Sequence, residues 1–497
     1  MADTDQTAPA IMWFRQDLRL EDNPALMSAV DSNKPLILLY VLDETSPDVR
    51  PMGSAQKWWL HHSLTSLSNT LNHFGNKLIL SRGPAQEVIE TIAKETGADA
   101  IFWNRRYGAG EQAVDAAIKS HFPGEATSRA GLLMHEPSAV RTGSGNPYKV
   151  YTPFWKSFKA EHQPRKPLAK PNEIKSVNPL PNSDRLEDWN LLPIQPDWSG
   201  GIDDAWIPGE AGAAKNLERF KDGLVNTYGK DRDLPGPDRT SRMSPHLRFG
   251  EISPHQIWHA IAPNGTSGIS EDVETYLKEL VWREFAYHLL QEWPDLHNTN
   301  FNAKFDAFPW DDNETLLEAW RRGRTGYPIV DAGMRQLYQT GWMHNRVRMI
   351  VGSFLVKHLL QDWRHGERWF WDTLVDGDPA SNPAQWQWVA GTGADAAPYF
   401  RIFNPIMQAE KFDAKGTYIK RYVPELADLP AQYLAAPWDA PLGELRAAGV
   451  KLGETYPLPI VQHKQARERA LDALNTMKEQ QVGLTRKSPA LQTYAMD

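Results

Sequence analysis

A chain of 497 residues exceeds one ordinary hydrophobic core, so two domains and a connector are expected, and 41% hydrophobic with 23% charged residues is a globular rather than a disordered balance. The absence of cysteine excludes disulfides, thiolate zinc sites, iron-sulfur clusters and cysteine nucleophiles together. A net charge of -8 speaks against an obligate nucleic-acid binder, since neutralising phosphates takes Lys and Arg.

The opening MADTDQTAPA carries acids and lacks the basic start and apolar run of a secretion signal, and no later segment reaches 18 uncharged apolar residues, so a cytoplasmic location is expected. Apolar runs predict strands at Ile11 to Phe14, Leu36 to Leu42, Leu78 to Leu80 and Ala100 to Trp103. Between them Leu60, Leu64 and Leu67, and then Val88, Ile89 and Ile92, mark helical faces. The alternation predicts an α/β domain over residues 1–138 with a Rossmann-like parallel sheet. No GxGxxG follows the first strand, so this domain need not hold a dinucleotide.

From 139 to 205 nine prolines remove backbone donors and break periodicity, which predicts an inter-domain connector. Residues 206–477 are helical in pattern almost throughout and predict an all-α domain, and 478–497 reads as a short polar tail.

Four stretches of the helical part carry candidate chemistry. Between Tyr228 and Pro245, Thr240, Ser241 and Ser244 precede a helix with Arg232, Arg239 and Arg242 close by. Such a set suits a phosphate or pyrophosphate, and equally an N-cap with a surface turn. On the helix from Glu274 to Leu290, Glu279, Trp282 and Arg283 gather at i, i+3 and i+4, either as a base-stacking pocket wall or as an ion pair beside a core indole. Asn345, Arg348 and Met349 repeat that spacing within Trp342 to Leu360, as a pocket wall or a partly exposed face. Asp376, Gly377 and Asp378, followed by Asn382, Trp386 and Trp388, read as a turn; with no histidine close in sequence, a metal site is rejected. From Gly341 to Phe370 five Lys and Arg face two acids, a basic strip compatible with DNA on an acidic chain.

Taken in order, WFRQDLRLEDNPAL, WNRRY at 103–107, PYKVYTPFW at 147–155, TSRMS, ELVWREF, MHNRVRM and DGDPASNPAQWQW resemble the cryptochrome/photolyase family over nearly the whole chain. The resemblance implies an N-terminal α/β domain, a long connector and a helical domain that holds FAD in a U shape. It implies FAD binding by Tyr228, Thr240, Ser241, Arg242, Met243, Ser244, Arg283, Arg348, Asp376, Gly377 and Asp378, with Asn382 facing flavin N5. Signalling cryptochromes of the plant type carry Asp at that last position, and repair enzymes carry Asn.

Glu279, Trp282, Asn345, Met349 and Trp388 fall where the family's dimer-repairing members line the lesion pocket, and the enzymes for (6-4) photoproducts have histidines at the positions of Asn345 and Met349. The implied activity is therefore that of a bacterial enzyme splitting cyclobutane pyrimidine dimers in light, without an obligate protein partner, as a monomer and off the membrane. Arg232, Arg346 and Gln408 match DNA contacts, and Trp386, Trp363 and Trp310 match an electron-transfer chain to the flavin. Glu279, Asn382 and the three indoles are the implied catalytic set. Folate-binding members carry a carboxylate soon after WNRRY, whereas here Gly108 follows and the next acid is Glu111. This leaves the antenna pigment open between methenyltetrahydrofolate, a deazaflavin, another flavin and none. The competing readings are a blue-light receptor, opposed by Asn382 and the pocket residues, and a flavoprotein that does not use light, which leaves the ordered tryptophans unexplained.

Overall fold

A computed structural model describes residues 7–161, 163–396 and 400–487. Strands β1 (Ala10–Phe14), β2 (Leu36–Leu42), β3 (Leu78–Arg82), β4 (Ala100–Asn104) and β5 (Glu125–Arg129) form a parallel sheet in the order β3-β2-β1-β4-β5. The central strand alternates sides, with Ala10, Met12 and Phe14 in one core and Ile11 and Trp13 in the other. Helices α1 (Pro24–Asp31) and α2 (Ser54–His73) cover the first face, while α3 (Ala85–Thr96) and α4 (Ala109–His121) cover the second. Burial on both faces explains why β2 reads LILLYVL without polar alternation. The fifth strand was not expected from sequence. Its residues, EATSR, lie half-exposed at the sheet edge, where no apolar run is needed.

The proline-rich stretch is not featureless, for it contains α5 (Tyr151–Glu161), whose Phe154, Trp155 and Phe158 are buried against the helical part. That part comprises α6 (Gly200–Ala205), α7 (Glu210–Lys221), α8 (Tyr228–Asp231), α9 (Ser244–Phe249), α10 (Pro254–Ile261), α11 (Glu271–Glu292), α12 (Glu314–Arg321), α13 (Pro328–Thr340), α14 (Asn345–Ser353), α15 (Trp363–Thr373), α16 (Ser381–Ala390), α17 (Pro405–Phe412), α18 (Thr417–Tyr422), α19 (Leu442–Ala447) and α20 (His463–Lys487). The helix expected from Trp342 starts instead at Asn345 and ends in a π-helical turn at Phe354–His358. Helix α20 runs past residue 478, where the sequence pattern suggested a tail, and residues 488–497 lie outside the described residues.

The helical part has two large cores among the described residues, one centred on α13 to α16 and one on α5, α10 and α11, and a smaller one where α20 covers Phe305 and Phe308. The seam to the sheet is α2, which packs on α15. Trp59 of α2 meets Trp206 at 5.5 Å and Phe249 at 6.1 Å, and its indole N–H donates to Glu251 at 2.9 Å. Satisfying that N–H in a buried place fixes the sheet against the helices.

Candidate active site

Consecutive residues just past α8 clasp two different helices. Arg232 donates to Glu279 of α11 at 2.6 Å, and Asp233 accepts from Arg346 of α14 at 2.6 Å. Glu279 and Arg346 are therefore drawn to one rim, although their helices are separated by two others in sequence. α16, which carries Trp388, packs against both α11 and α14. Asn345 is exposed at the start of α14, while Trp282, Met349 and Trp388 are half-buried. Tyr151 of α5 lies flat on Trp282, with ring centroids 3.7 Å apart and planes 7° apart, and donates its hydroxyl to the Lys278 carbonyl at 2.7 Å. The rim also carries unmet capacity. His344 Nε2, Arg346 Nε and Gln408 Oε1 are buried without a partner among the described residues, and burial holds His344 down to about 4, so it is neutral near pH 7.

The residues expected to hold the cofactor converge from four segments. Arg348 donates to both oxygens of Asp376, at 3.1 and 2.8 Å, and also to the Met343 carbonyl at 2.7 Å. Asp378 accepts from the Tyr287 hydroxyl at 2.9 Å and from the N–H groups of Ala380 and Ser381 at 2.9 and 2.7 Å, which anchors the start of α16. The Gly377 carbonyl accepts from Arg248 at 2.6 Å. Trp342 ties this turn to the TSRMS segment, since its indole N–H donates to Ser244 at 3.3 Å, and Arg242 and Arg348 lie over its ring at 5.4 and 5.8 Å. Arg242 sits at a positive φ of 54° and pairs with Asp238 at 3.1 Å. Ser241 Oγ accepts from the N–H of buried Met243 at 3.4 Å, and the Thr240 carbonyl accepts from Arg219 at 2.9 Å.

Arg283 donates to the carbonyls of Leu132 and Leu247 at 2.9 and 3.5 Å and lies over Tyr287 at 4.9 Å. Tyr228 is buried, and that burial together with the Glu279 carboxylate pushes its hydroxyl above the usual range, so it stays a donor. Asn382 gives both protons of its amide nitrogen to Glu367, one to the carbonyl at 3.0 Å and one to the carboxylate at 2.9 Å, leaving its oxygen for another partner. These hydroxyls, guanidinium groups, carboxylates and an amide oxygen form a donor and acceptor set that fits a dinucleotide bearing a flavin.

A cavity of about 520 Å³ opens between the sheet and the helical part. It is lined by Trp13 and Arg15 at the end of β1, by Tyr40 and Asp43 at the end of β2 and by Arg106 after β4. That is the point where strand order reverses, the usual ligand crevice of an open parallel sheet. Trp13 Nε1, Arg15 Nε, and Nε and Nη2 of Arg106 are buried there without partners among the described residues.

Residues 10–172 match the family profile described as DNA photolyase, and residues 276–476 match the one described as FAD binding domain of DNA photolyase. A deoxyribodipyrimidine photo-lyase of Agrobacterium fabrum is 52% identical over 95% of this chain and 99% of its own. The chain belongs to the DNA photolyase family. It is an FAD-binding enzyme of that family, and the family's partner is DNA, so the fold class, cofactor and enzyme class expected from the motifs hold. A crystal structure of a bacterial class III photolyase from Agrobacterium tumefaciens is similar at a TM-score of 0.91 and 51% identity, covering 96% of this chain and 99% of that one. An archaeal photolyase from Sulfolobus tokodaii, solved with two FAD molecules, is similar at a TM-score of 0.79 and 30% identity, covering 94% and 100%. No helix among the described residues is long and apolar enough to cross a membrane.

In this photolyase the expected tryptophan series is graded in exposure: Trp363 and Trp386 are buried and Trp310 is half-buried. Their rings do not stack directly. Trp386 packs on the backbone of α15, where a Cβ on Gly366 would lie 2.1 Å from its ring, and its ring neighbours are Phe370 at 4.9 Å and Trp320 at 6.2 Å. Trp363 donates its indole N–H to Asn300 at 2.9 Å, and Trp310 contacts Phe308 at 4.4 Å. Sequence reasoning missed Trp320, Tyr151, Glu367 and Arg50. Each lies on a different element from the group it touches, and no local spacing signals such contacts.

Proposed function

We propose that this enzyme splits cyclobutane pyrimidine dimers in DNA by light-driven electron transfer. The observation that carries the reading is that Arg232 and Asp233 join α11, which carries Glu279 and Trp282, to α14, which carries Asn345 and Met349 rather than histidines, while α16 with Trp388 packs against both helices. Bound FAD, reduced and excited by light, supplies the electron that makes the cyclobutane ring easy to open. Every other part is played by side chains. Trp282 and Trp388 wall the flipped-out lesion, and damage lowers the cost of flipping; photolyases are themselves a standard instance of this extraction. Glu279, as a protonated carboxyl, donates a hydrogen bond to the dimer as negative charge develops on it. Arg232, Arg346 and Gln408 meet the strand around the lesion, the two arginines exchanging Glu279 and Asp233 for phosphate oxygens. Tyr228, the TSRMS residues, Arg283, Arg348, Asp376 and Asp378 hold the cofactor, and Asn382 offers its amide oxygen towards N5. With FAD bound, Trp310, Trp363 and Trp386 would relay electrons to it from a reductant outside the protein.

The cavity at the strand ends suits a second chromophore with acceptor atoms for its four unmet donor nitrogens. The class III relative supports assignment to that subgroup. The reading is tested by presenting one oligonucleotide with a cyclobutane dimer and one with a (6-4) photoproduct to the reduced protein under blue light. Repair of the first alone is expected; repair of the second alone would overturn the substrate assignment.

A further inference from the structure

The amide of Asn382 is oriented by a group that originates outside the helical part. Glu367, on α15, is 1% exposed at its side chain and accepts from Asn382. A buried carboxylate is costly unless it is paired. Its partner is Arg50, from the loop between β2 and α2, which forks onto both oxygens at 2.7 and 2.9 Å. Arg50 is itself locked in place, because its guanidinium lies 3.9 Å over the Trp371 ring and the Trp371 indole N–H donates to the Pro51 carbonyl at 2.9 Å. The loop lies flush on α15: a Cβ on Gly53 would come within 2.1 Å of the Trp371 carbonyl oxygen, so no longer side chain could replace it there. Gln56 adds a bond to the same carbonyl at 2.7 Å, and Ser54 one to Asp372 at 2.9 Å. Arg50 also lines the cavity at the strand ends.

We propose that Arg50 is a positioning residue for the flavin: by keeping Glu367 a bidentate acceptor it fixes the Asn382 amide with its nitrogen inward and its oxygen towards N5. This rests on the reading of Asn382 given above. An amide oxygen accepts a hydrogen bond from a protonated N5, whereas a flipped amide would donate to an unprotonated one. Without Arg50 the Glu367 carboxylate loses the fork that holds both of its oxygens, and it can turn its acceptor away from the Asn382 nitrogen. The amide then has no reason to keep its nitrogen inward. The α/β part of the molecule thereby sets the protonation preference of a cofactor held by the helical part.

The test uses full-length, FAD-loaded protein carrying Arg50→Met, Arg50→Lys, Glu367→Gln or Asn382→Ser. The readouts are the ratio of N5-protonated to N5-unprotonated one-electron-reduced flavin, from absorbance spectra at fixed pH, and the flavin midpoint potential. For Arg50→Met the protonated fraction should fall by about ten- to a hundredfold relative to the unprotonated one, the span of a single charge-assisted hydrogen bond. Arg50→Lys, which keeps the charge, should restore part of it, and a purely structural role would show no such rescue. If Asn382→Ser moves the ratio and Arg50→Met leaves it unchanged at normal FAD content, this inference fails alone. If neither variant moves it, the placement of Asn382 at N5 fails as well. Should Arg50→Met not retain FAD, Glu367→Gln decides the matter, an unchanged ratio overturning the proposal.

Discussion

Replacing Glu279 by Ala separates chemistry from architecture. The Arg232–Glu279 pair is partly solvated, with side-chain exposures of 20% and 32%, so its loss should cost about 1 kcal/mol or less. In a chain of this size that shifts the thermal midpoint by about 2 °C at most, and flavin content should match the unmodified protein. Repair should suffer far more. A hydrogen bond to a partner that becomes charged contributes about 1.5–3 kcal/mol, which corresponds to about a ten- to hundredfold slower ring opening. Arg232, released from its carboxylate, keeps or gains affinity for undamaged strands, so binding of DNA should not account for the loss. The assay is repair per absorbed photon by pre-reduced protein, alongside the FAD-to-protein absorbance ratio and a melting curve. Full repair yield, or loss of flavin with collapse of the melting point, would refute the reasoning.

Trp310→Phe should slow photoreduction of oxidised FAD while leaving repair by pre-reduced enzyme intact; unchanged photoreduction, with slowing in Trp320→Phe, would move the route to the indole that touches Trp386. Tyr151→Leu removes the ring stacked on Trp282, and a stack of this kind contributes about 0.5–1.5 kcal/mol. The preference for dimer-containing over undamaged oligonucleotide should drop by about three- to tenfold, and an unaltered preference in a binding titration would contradict the support role. Burial pushes Glu284 up to about 7, against the N–H bonds it accepts from Met134 and His135. A carboxyl raised in the folded state stabilises fully below its unfolded value and loses that contribution as pH rises through the folded one. Relative to Glu284→Gln, urea unfolding should therefore show the unmodified protein losing about 3 kcal/mol between pH 4.5 and pH 7; a flat difference across that window would reject the assignment.

The sequence made the doubly wound order foreseeable because β1, β2 and β4 are buried on both faces and must be apolar throughout. An edge strand of polar residues such as β5 carries no such mark. The helical cofactor region was legible as motifs, yet the contacts that give those motifs their geometry were not. Arg50 and Glu367 stand 317 residues apart, and Tyr151 reaches Trp282 from a stretch whose prolines suggested only a connector. Pairings of this kind are set by how α2 and α5 dock on α15 and α11, which local periodicity does not encode. The tryptophan series was placed by resemblance, and its graded burial fits the role, but the contact between Trp386 and Trp320 emerges only when α12 and α16 pack against one core.

The most direct test of the account is repair of an oligothymidylate bearing cyclobutane dimers by purified, chemically reduced, FAD-containing protein, followed as recovered thymine absorbance in blue light and in darkness. The account expects recovery in light alone; no recovery by protein shown to hold FAD and to bind the damaged strand would contradict it.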